Sequence, residues 1–440
     1  MTAFAGAAVP AGQEADSLSL DDIVLKALDN NNMLRASKLK EEEMRQKVKE
    51  AEVKYYPSIN LNSMYTYRFN MGSLSYPEGA LGTFELPNGA ISFPQEPVYY
   101  EIGKHNTVMA GASLYQPLSQ LPKIRTGVKI AALDEDLANL EYTKSELQVI
   151  NGVERLFYGI LAVRKRKEET EKKIELIERR LYDTQSALLS GKMVDAGVLG
   201  MEADLSGKRQ ELLELSNEEC DYIAELKKLT GADFSNVPFS DQLFANEDIA
   251  PAQDYIDAAA ENNVDLKISA MQVEKSQKGI EVAKQSYLPD IGLMAGYNYQ
   301  NSIKILSDHN PYIGVSFKWN IQDVFSNSKV MKQRKLKYGQ AQENAEYMRR
   351  SVEAEVEKAY RKMQEAKRLI GVAEQTVGFR RRNLEMEYDK RDAGLNTQTD
   401  VLEFEAEFAK AEADFYAAKQ SYMIAQADMR MLTAATTVRR

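Results

Sequence analysis

Cysteine is nearly absent from this chain of 440 residues. The one present, Cys220, allows neither an internal disulfide framework nor a cysteine-based metal site. Within its helical stretch Cys220 is expected as a small packed residue rather than a nucleophile. Histidine is almost as scarce: His105 and His309 stand far apart, without metal-ligand spacing, each just ahead of an alternating apolar run where a loop is expected. Long apolar runs are missing too. No stretch approaches the ~18 residues of a membrane helix, so a helical membrane protein is excluded. An excess of basic residues is also lacking: 56 Lys and Arg against 66 Asp and Glu leave a net charge of −10, the wrong sign for binding a nucleic-acid backbone. No phosphate loop, His-Glu-x-x-His, nucleophile elbow or Cys-His pair is present, so an enzyme is a poor reading, and neither a cofactor nor a metal site is expected. Turn-formers are thin as well. With 24 Gly and 12 Pro in a chain that is 28% charged, the composition points to long helices.

What is present is repetition. Gly191 to Leu205 and Gly394 to Phe408 have the same form, with Gly191 matching Gly394, Val198 matching Val401, Leu199 matching Leu402 and Glu202 matching Glu405, each 203 positions apart. Earlier in the chain the offset is 232: Ala27 to Asn31 matches Ala259 to Asn263, Pro57 matches Pro289, and Ile59, Leu61, Tyr65 and Tyr67 match Ile291, Leu293, Tyr297 and Tyr299. The loop between the two offsets is therefore 29 residues longer in the first copy. The chain is built twice.

Each copy opens with helical spacing, as at Leu20, Ile23, Val24, Ala27 and Leu28 behind Asp21 and Asp22, and each second helical run closes before a proline. After Pro57 the period changes to two. Strands are expected over about 59–69, 107–118, 291–299 and 312–321, with a long loop and no clear period over 70–104. After Pro122 a helical run of about 65 residues would be roughly 100 Å long, and such a rod must pack along others. The expected organisation is a signal-peptide remnant or flexible tail over 1–18, a first repeat over 19–231, a linker over 232–250, a second repeat over 251–434 and a tail over 435–440. Hairpin tips are expected near 191 and 394.

The strands have one apolar face and one polar face, with Tyr65, Tyr67, Phe69, Tyr297, Tyr299 and Trp319 near their ends. That pattern fits the height and aromatic girdles of an outer-membrane barrel. Four strands cannot close a barrel, and open edges are not tolerated in lipid, so several chains must share one barrel. The polar face carries Asn60, Asn62, Arg68, Asn298, Lys318 and Asn320 beside small residues such as Gly292, Gly296, Gly314 and Ser316, which suits a water-filled passage. The competing reading is a soluble helical scaffold whose duplicated hairpins bind partner helices.

The Ala-Leu-x-x-Asn-Asn opening, the Tyr-Tyr-Pro-Ser-Ile and Tyr-Leu-Pro-Asp-Ile strand entries, the Tyr-Gln-Pro-Leu118 exit and the Gly-turn-Val-Leu-x-x-Glu-Ala tips together resemble the TolC-like outer-membrane efflux proteins. The resemblance covers about Ser19 to Thr433. It implies a mainly α fold with a membrane β-barrel portion: two tandem repeats of helix, strand, strand, long helix and helix. Three copies would build a 12-stranded barrel in the outer membrane, in contact with its lipid, continuous with a 12-helix tunnel through the periplasm. It also implies a passive exit duct, serving a tripartite pump or a type I secretion system, joined by a periplasmic adaptor to an inner-membrane transporter.

By the same resemblance, the adaptor would dock at the hairpin tips, Gly191, Lys192 and Met193 with Gly394, Leu395, Asn396 and Thr397. An acidic ring at the aperture would fall on Asp400 and Glu403. Six carboxylates near one axis would repel one another and favour cations. Spacing alone leaves another role open: Thr397-x-x-Asp400 suits a helix cap, and Glu403 suits a solvated first-turn acid. The first tip has Gly197 and Gly200 at the equivalent places and adds no acid. Asn396 stands where a basic residue is common in the family, and Asn-Asn-Met33 stands where Asn-Pro is common.

Overall fold

A computed structural model describes residues 19–189, 195–234, 238–239, 249–301 and 307–435. Its elements in chain order are α1 (Leu20–Asn30), α2 (Asn32–Val53), β1 (Ser58–Tyr67), β2 (Gly72–Tyr76), β3 (Thr83–Leu86), β4 (Gly89–Ser92), β5 (Val98–Ile102), β6 (Asn106–Pro117), α3 (Leu121–Leu189), α4 (Asp195–Thr230), α5 (Ala252–Asn262), α6 (Val264–Gln285), β7 (Asp290–Gln300), β8 (His309–Lys318), α7 (Ile321–Asp392) and α8 (Gln398–Thr433). The expectations for 1–18, for 436–440 and for the tip residues Gly191, Lys192 and Met193 lie outside the described residues. Among the described residues no helix is long and apolar enough to cross a membrane. The residues fall into two compact units.

The helical unit comprises the described residues within Met1–Glu42, Asp136–Val273 and Ala341–Arg440. Its long helices lie in the order α4, α3, α8, α7, fixed by ion pairs and hydrogen bonds at each junction. Arg164 and Lys167 of α3 both reach Glu219 of α4 at 2.7 Å, Lys172 of α3 reaches Glu405 of α8 at 2.9 Å, and the Tyr388 hydroxyl of α7 donates to Glu405 at 2.8 Å. The apolar core joins Ile23, Val24 and Ala27 of α1 to Val153, Phe157 and Ile160 of α3, Leu226 of α4, Val356 and Met363 of α7 and Met429 of α8. One buried ion pair crosses it. Arg430 donates to Glu154 at 2.7 Å, and Glu154 is only 3% exposed. Burial raises the Glu154 carboxyl above its ordinary value, with the Arg430 charge opposing that rise.

The duplicated asparagines close each repeat on itself. Asn31 accepts from the backbone N–H of Met33 and Leu34 and donates to the Leu229 carbonyl at 3.1 Å, so it caps the start of α2 and the end of α4. Asn263 does the same in the second repeat, accepting from Leu266 N–H and donating to the Leu432 carbonyl at 2.8 Å. Both side chains are buried.

The sheet unit comprises Glu43–Glu135 and Glu274–Gln340. Its main sheet is antiparallel throughout, in the order β1, β6, β7, β8, which leaves β1 and β8 as edges. The ends differ from expectation. β1 stops at Tyr67, so Phe69 lies beyond the strand; β8 runs from His309 to Lys318, and Ile321 opens α7 instead of ending a strand. Residues 70–104 are not a structureless loop: β2 pairs with β5 and β3 with β4, two short ribbons nested inside the β1–β6 hairpin. Their alternation persists for only 4 or 5 residues at a time between Gly and Pro punctuation, too short a stretch to read as a period.

Two smaller expectations also change. Cys220 is exposed, because the buried stripe of α4 follows Leu215, Ile223 and Leu226 and Cys220 lies off it. In the span read as a linker, Phe234 and Phe239 are buried, and Phe239 packs edge-on against Phe157 at 5.4 Å.

Candidate functional site

The main sheet is apolar on the side that the chain leaves bare. Along β8, Pro311, Ile313, Val315 and Phe317 are exposed while Asn310, Tyr312, Gly314 and Ser316 on the other face are half-buried. β1 is exposed along both faces, and on the apolar one Ile59 is 71% and Leu61 79% exposed, against 86% for Ile313 and 67% for Val315. A soluble sheet does the reverse, because each such side chain left in water forgoes about 1.5–3 kcal/mol. A contiguous bare apolar face of this kind marks contact with lipid or with a partner.

The aromatic residues bracket this face. Tyr65, Tyr67, Tyr297 and Tyr299 lie toward the strand ends that enter the β1–β6 and β7–β8 connections, with Phe69 just past them; Trp319 lies at the opposite end, between β8 and α7. Both histidines join the first group. His105 stacks on Tyr67 at 5.9 Å, and His309, which opens β8 instead of preceding it, packs on Tyr299 at 5.4 Å and hydrogen-bonds the Tyr297 hydroxyl. No motif spacing could have paired these histidines with the tyrosines.

The polar face is crowded only where glycine permits it. Asn62, Gly111, Asn298 and Asn310 form one row across the four strands. The Asn62 and Asn298 amide oxygens both lie within 2.8 Å of where a Gly111 Cβ would sit, so a larger residue there would push these side chains aside. Arg68 follows β1 and Lys318 ends β8.

At the second hairpin tip five residues, Ala393 to Thr397, separate α7 from α8. Gly394 takes φ +73, its N–H donates to the Arg391 carbonyl at 2.8 Å, and Leu395 N–H donates to the Lys390 carbonyl at 2.8 Å, a left-handed helix stop. Asn396 then donates to the Glu387 carbonyl at 3.1 Å and to its carboxylate at 2.8 Å, tying the turn back to α7. Lys390 and Asn396 together hold the Glu387 carboxyl below its ordinary value. A side-chain amide thus makes the tether. Leu395 projects into solvent.

Thr397 caps α8 and Asp400 completes a capping box, accepting from Thr397 N–H at 2.8 Å and from its hydroxyl at 2.7 Å. These bonds lower the Asp400 pKa below its ordinary value. Glu403 is exposed and accepts from Arg180 of α3 at 2.6 Å, while Thr399 donates to Asp183 at 2.7 Å. Beneath them Leu176, Leu402 and Ala406 form a small buried cluster. Burial alone would raise the Glu405 carboxyl, but hydrogen bonds from Lys172 and Tyr388 outweigh it and hold the pKa below the ordinary value. The arrangement ties three helices together near the tip. Arg180, Asp183 and Lys172 were invisible to sequence reasoning, since each lies more than 200 positions from its partner. Among the described residues no group of three or more His, Cys, Asp or Glu could hold a metal ion.

An antiparallel sheet with a bare apolar face, carried on a chain with helices of 69 and 72 residues, defines a membrane β-sheet protein with a long helical portion. The profile of the outer membrane efflux protein family matches residues 23–232 and 255–435, and the chain belongs to that family. Its members are passive outer-membrane channels, not enzymes, and the chain is an outer-membrane protein reaching into the periplasm. It is 22% identical over 228 residues to outer membrane protein TolC of Vibrio cholerae, a match covering 50% of this chain and 52% of that one, so it spans about half the length of this curated relative. Its fold is similar to the Campylobacter jejuni CmeC outer membrane channel, with TM-score 0.73 and 17% identity over 94% of this chain and 85% of that one. It is also similar to VceC of Vibrio cholerae, with TM-score 0.71 and 12% identity over 94% and 95%. For the open state of the Neisseria gonorrhoeae MtrE channel the TM-score is 0.68, at 13% identity over 94% and 88%.

Proposed function

We propose that three copies of this chain form the exit duct of a tripartite efflux pump or type I secretion system, passing substrates from a periplasmic adaptor and inner-membrane transporter to the outside. The observation that carries this reading is the reversed alternation of β8, where Ile313, Val315 and Phe317 are bare while Asn310, Tyr312, Gly314 and Ser316 on the other face are half-covered, with Ile59 and Leu61 of β1 equally bare. Lipid satisfies the first face and water the second. The free edges of β1 and β8 cannot remain unpaired in lipid, so each copy lends four strands to a twelve-stranded barrel. The α4, α3, α8, α7 layer likewise supplies four helical segments per copy, twelve in all.

In this reading the hairpin tips face the adaptor, with the bare Leu395 beside Gly394, Asn396 and Thr397 as the contact and Gly191, Lys192 and Met193 as its first-repeat counterpart. Asp400 and Glu403 serve as the aperture ring. They are occupied here by the Thr397 cap and by Arg180, so opening the aperture exchanges the Arg180 contact and leaves the cap intact. The test is single-channel recording of the purified protein in bilayers. A conducting pore blocked by multivalent cations is expected, with block weakened by Asp400→Asn with Glu403→Gln. Unchanged block would reduce the two acids to a cap and an ion pair; recovery of the protein only in the soluble fraction would overturn the duct.

A further inference from the structure

Where the main sheet meets its helices there is a cavity that the passage of substrates does not explain. It is bounded by the start of α3, the end of α6, the first residue of β7 and the stretch from the end of β8 into α7, and its volume is about 420 Å³. That lies within the ~300–1,000 Å³ of small-molecule sites. Its walls are pinned to one another. The Ser119 hydroxyl donates to the Pro289 carbonyl at 2.7 Å and accepts from Ile291 N–H at 2.7 Å, while Asn327 of α7 donates to the Ser286 carbonyl at 2.7 Å.

Four charged side chains line this space, Lys123 and Lys318 against Asp290 and Asp323. Asp290 and Lys318 are direct cross-strand partners, the placement in which opposite charges ordinarily meet, yet among the described residues neither has an ion pair, and Lys123 has none either. Gln285 adds another unmet group. Its amide nitrogen donates to the Thr126 hydroxyl at 3.1 Å, and that hydroxyl commits its own proton to the Pro122 carbonyl at 3.0 Å, so the amide cannot be turned round. Its Oε1 is thereby left as a buried acceptor with no donor among the described residues, which is unfavourable until a donor reaches it. The start of α7 needs nothing from outside. Asn320 accepts from Gln322 N–H at 3.2 Å and donates to Asp323 at 3.0 Å, so any anion in the cavity falls to the lysines.

We propose that this cavity binds phosphoethanolamine, the headgroup of a zwitterionic phospholipid, with the phosphate against Lys123 and Lys318 and the primary ammonium against Asp290 and Gln285 Oε1. The balance of charge selects a zwitterion. A lone anion would leave Asp290 unmet and a lone cation the lysines, and among the described residues no group of three or more His, Cys, Asp or Glu could hold a metal ion. The membrane is the source because Trp319, on the cavity wall, continues the bare stripe of Ile313, Val315 and Phe317 at alternate positions, with exposed Leu288 also on the wall. An indole at that place marks the boundary between lipid and water, so acyl chains run along the stripe while the headgroup enters the cavity. The inference needs the outer-membrane location and is independent of how many copies share the barrel.

Trp319 is the one tryptophan of the chain, so its fluorescence reports on this cavity alone. The experiment titrates short-chain phosphatidylethanolamine or phosphatidylcholine into the detergent-extracted protein, with native mass spectrometry counting the bound lipid. Phosphatidylethanolamine is expected to bind saturably and to shift the Trp319 emission. Phosphatidylcholine, whose quaternary ammonium has no N–H to give Gln285, is expected to bind about tenfold more weakly. Gln285→Leu should erase that preference, and Lys123→Gln with Lys318→Gln, both at exposed positions that folding tolerates, should weaken both lipids alike. Equal binding of the two lipids by the unaltered protein, or binding that leaves the Trp319 emission unchanged, would overturn the site. Glycerophosphoethanolamine binding as tightly as the lipid would uphold the headgroup chemistry and overturn the membrane as its source.

Discussion

Two asparagines 232 positions apart do the same work, and two turns 203 positions apart do not offer the same chemistry. Asn31 and Asn263 each begin one helix and end another, so each repeat is fastened shut by one side chain. At the turns, Asp400 and Glu403 engage Thr397 and Arg180 in the second repeat, whereas the first has Gly197 and Gly200 at those positions. Duplication preserved the fastening. It left the tips free to diverge, because a solvent-facing turn constrains its residues less than a buried cap does.

The largest expected effect lies in the ion pair of the buried Glu154 with Arg430. Glu154→Ala leaves the half-buried Arg430 without its partner and should cost about 3 kcal/mol in chemical denaturation. The equivalent Glu357→Ala, at an exposed site, should leave the stability of the single chain unchanged. Similar losses at both would contradict the contrast between a buried and an exposed member of the repeat.

Next come the paired caps. Asn31→Ala and Asn263→Ala each strand buried backbone groups and should cost about 1–3 kcal/mol apiece, equal to within about 1 kcal/mol. A large inequality would break the equivalence of the repeats. At the tip, Gly394→Ala forces a side chain into a left-handed conformation and should cost about 1–2 kcal/mol, seen as faster hydrogen exchange across Arg391 to Asp400.

The smallest effect is a pH dependence at the tip. The Glu405 pKa lies below its ordinary value of 4.5 in the folded chain, so its stabilisation is complete above about pH 4.5 and is lost as pH falls through the lowered value. Amide protection near Lys172 and Tyr388 should therefore hold at neutral pH and decline in acid. Glu405→Gln should flatten that decline.

The repeats, the four main strands and the Asp400 cap spacing could all be read from the sequence, because offset, period and cap geometry are local or periodic signals. The partners of the caps could not. Asn31 meets the Leu229 carbonyl 198 positions away, and Glu403 meets Arg180 across 223. The nested ribbons over 72–102 were hidden by their brevity, and Cys220 was misplaced because a preference for burial says nothing about which side of a helix faces the core. The apolar sheet face was implied by alternation, but only the fold shows that along β8 the apolar side is the uncovered one.

The most direct test of the shared barrel is the mass of the detergent-extracted particle, measured together with its bilayer conductance. The expected result is a conducting particle with a protein mass three times the 49.6 kDa of one chain. A 49.6 kDa particle that conducts nothing would contradict it.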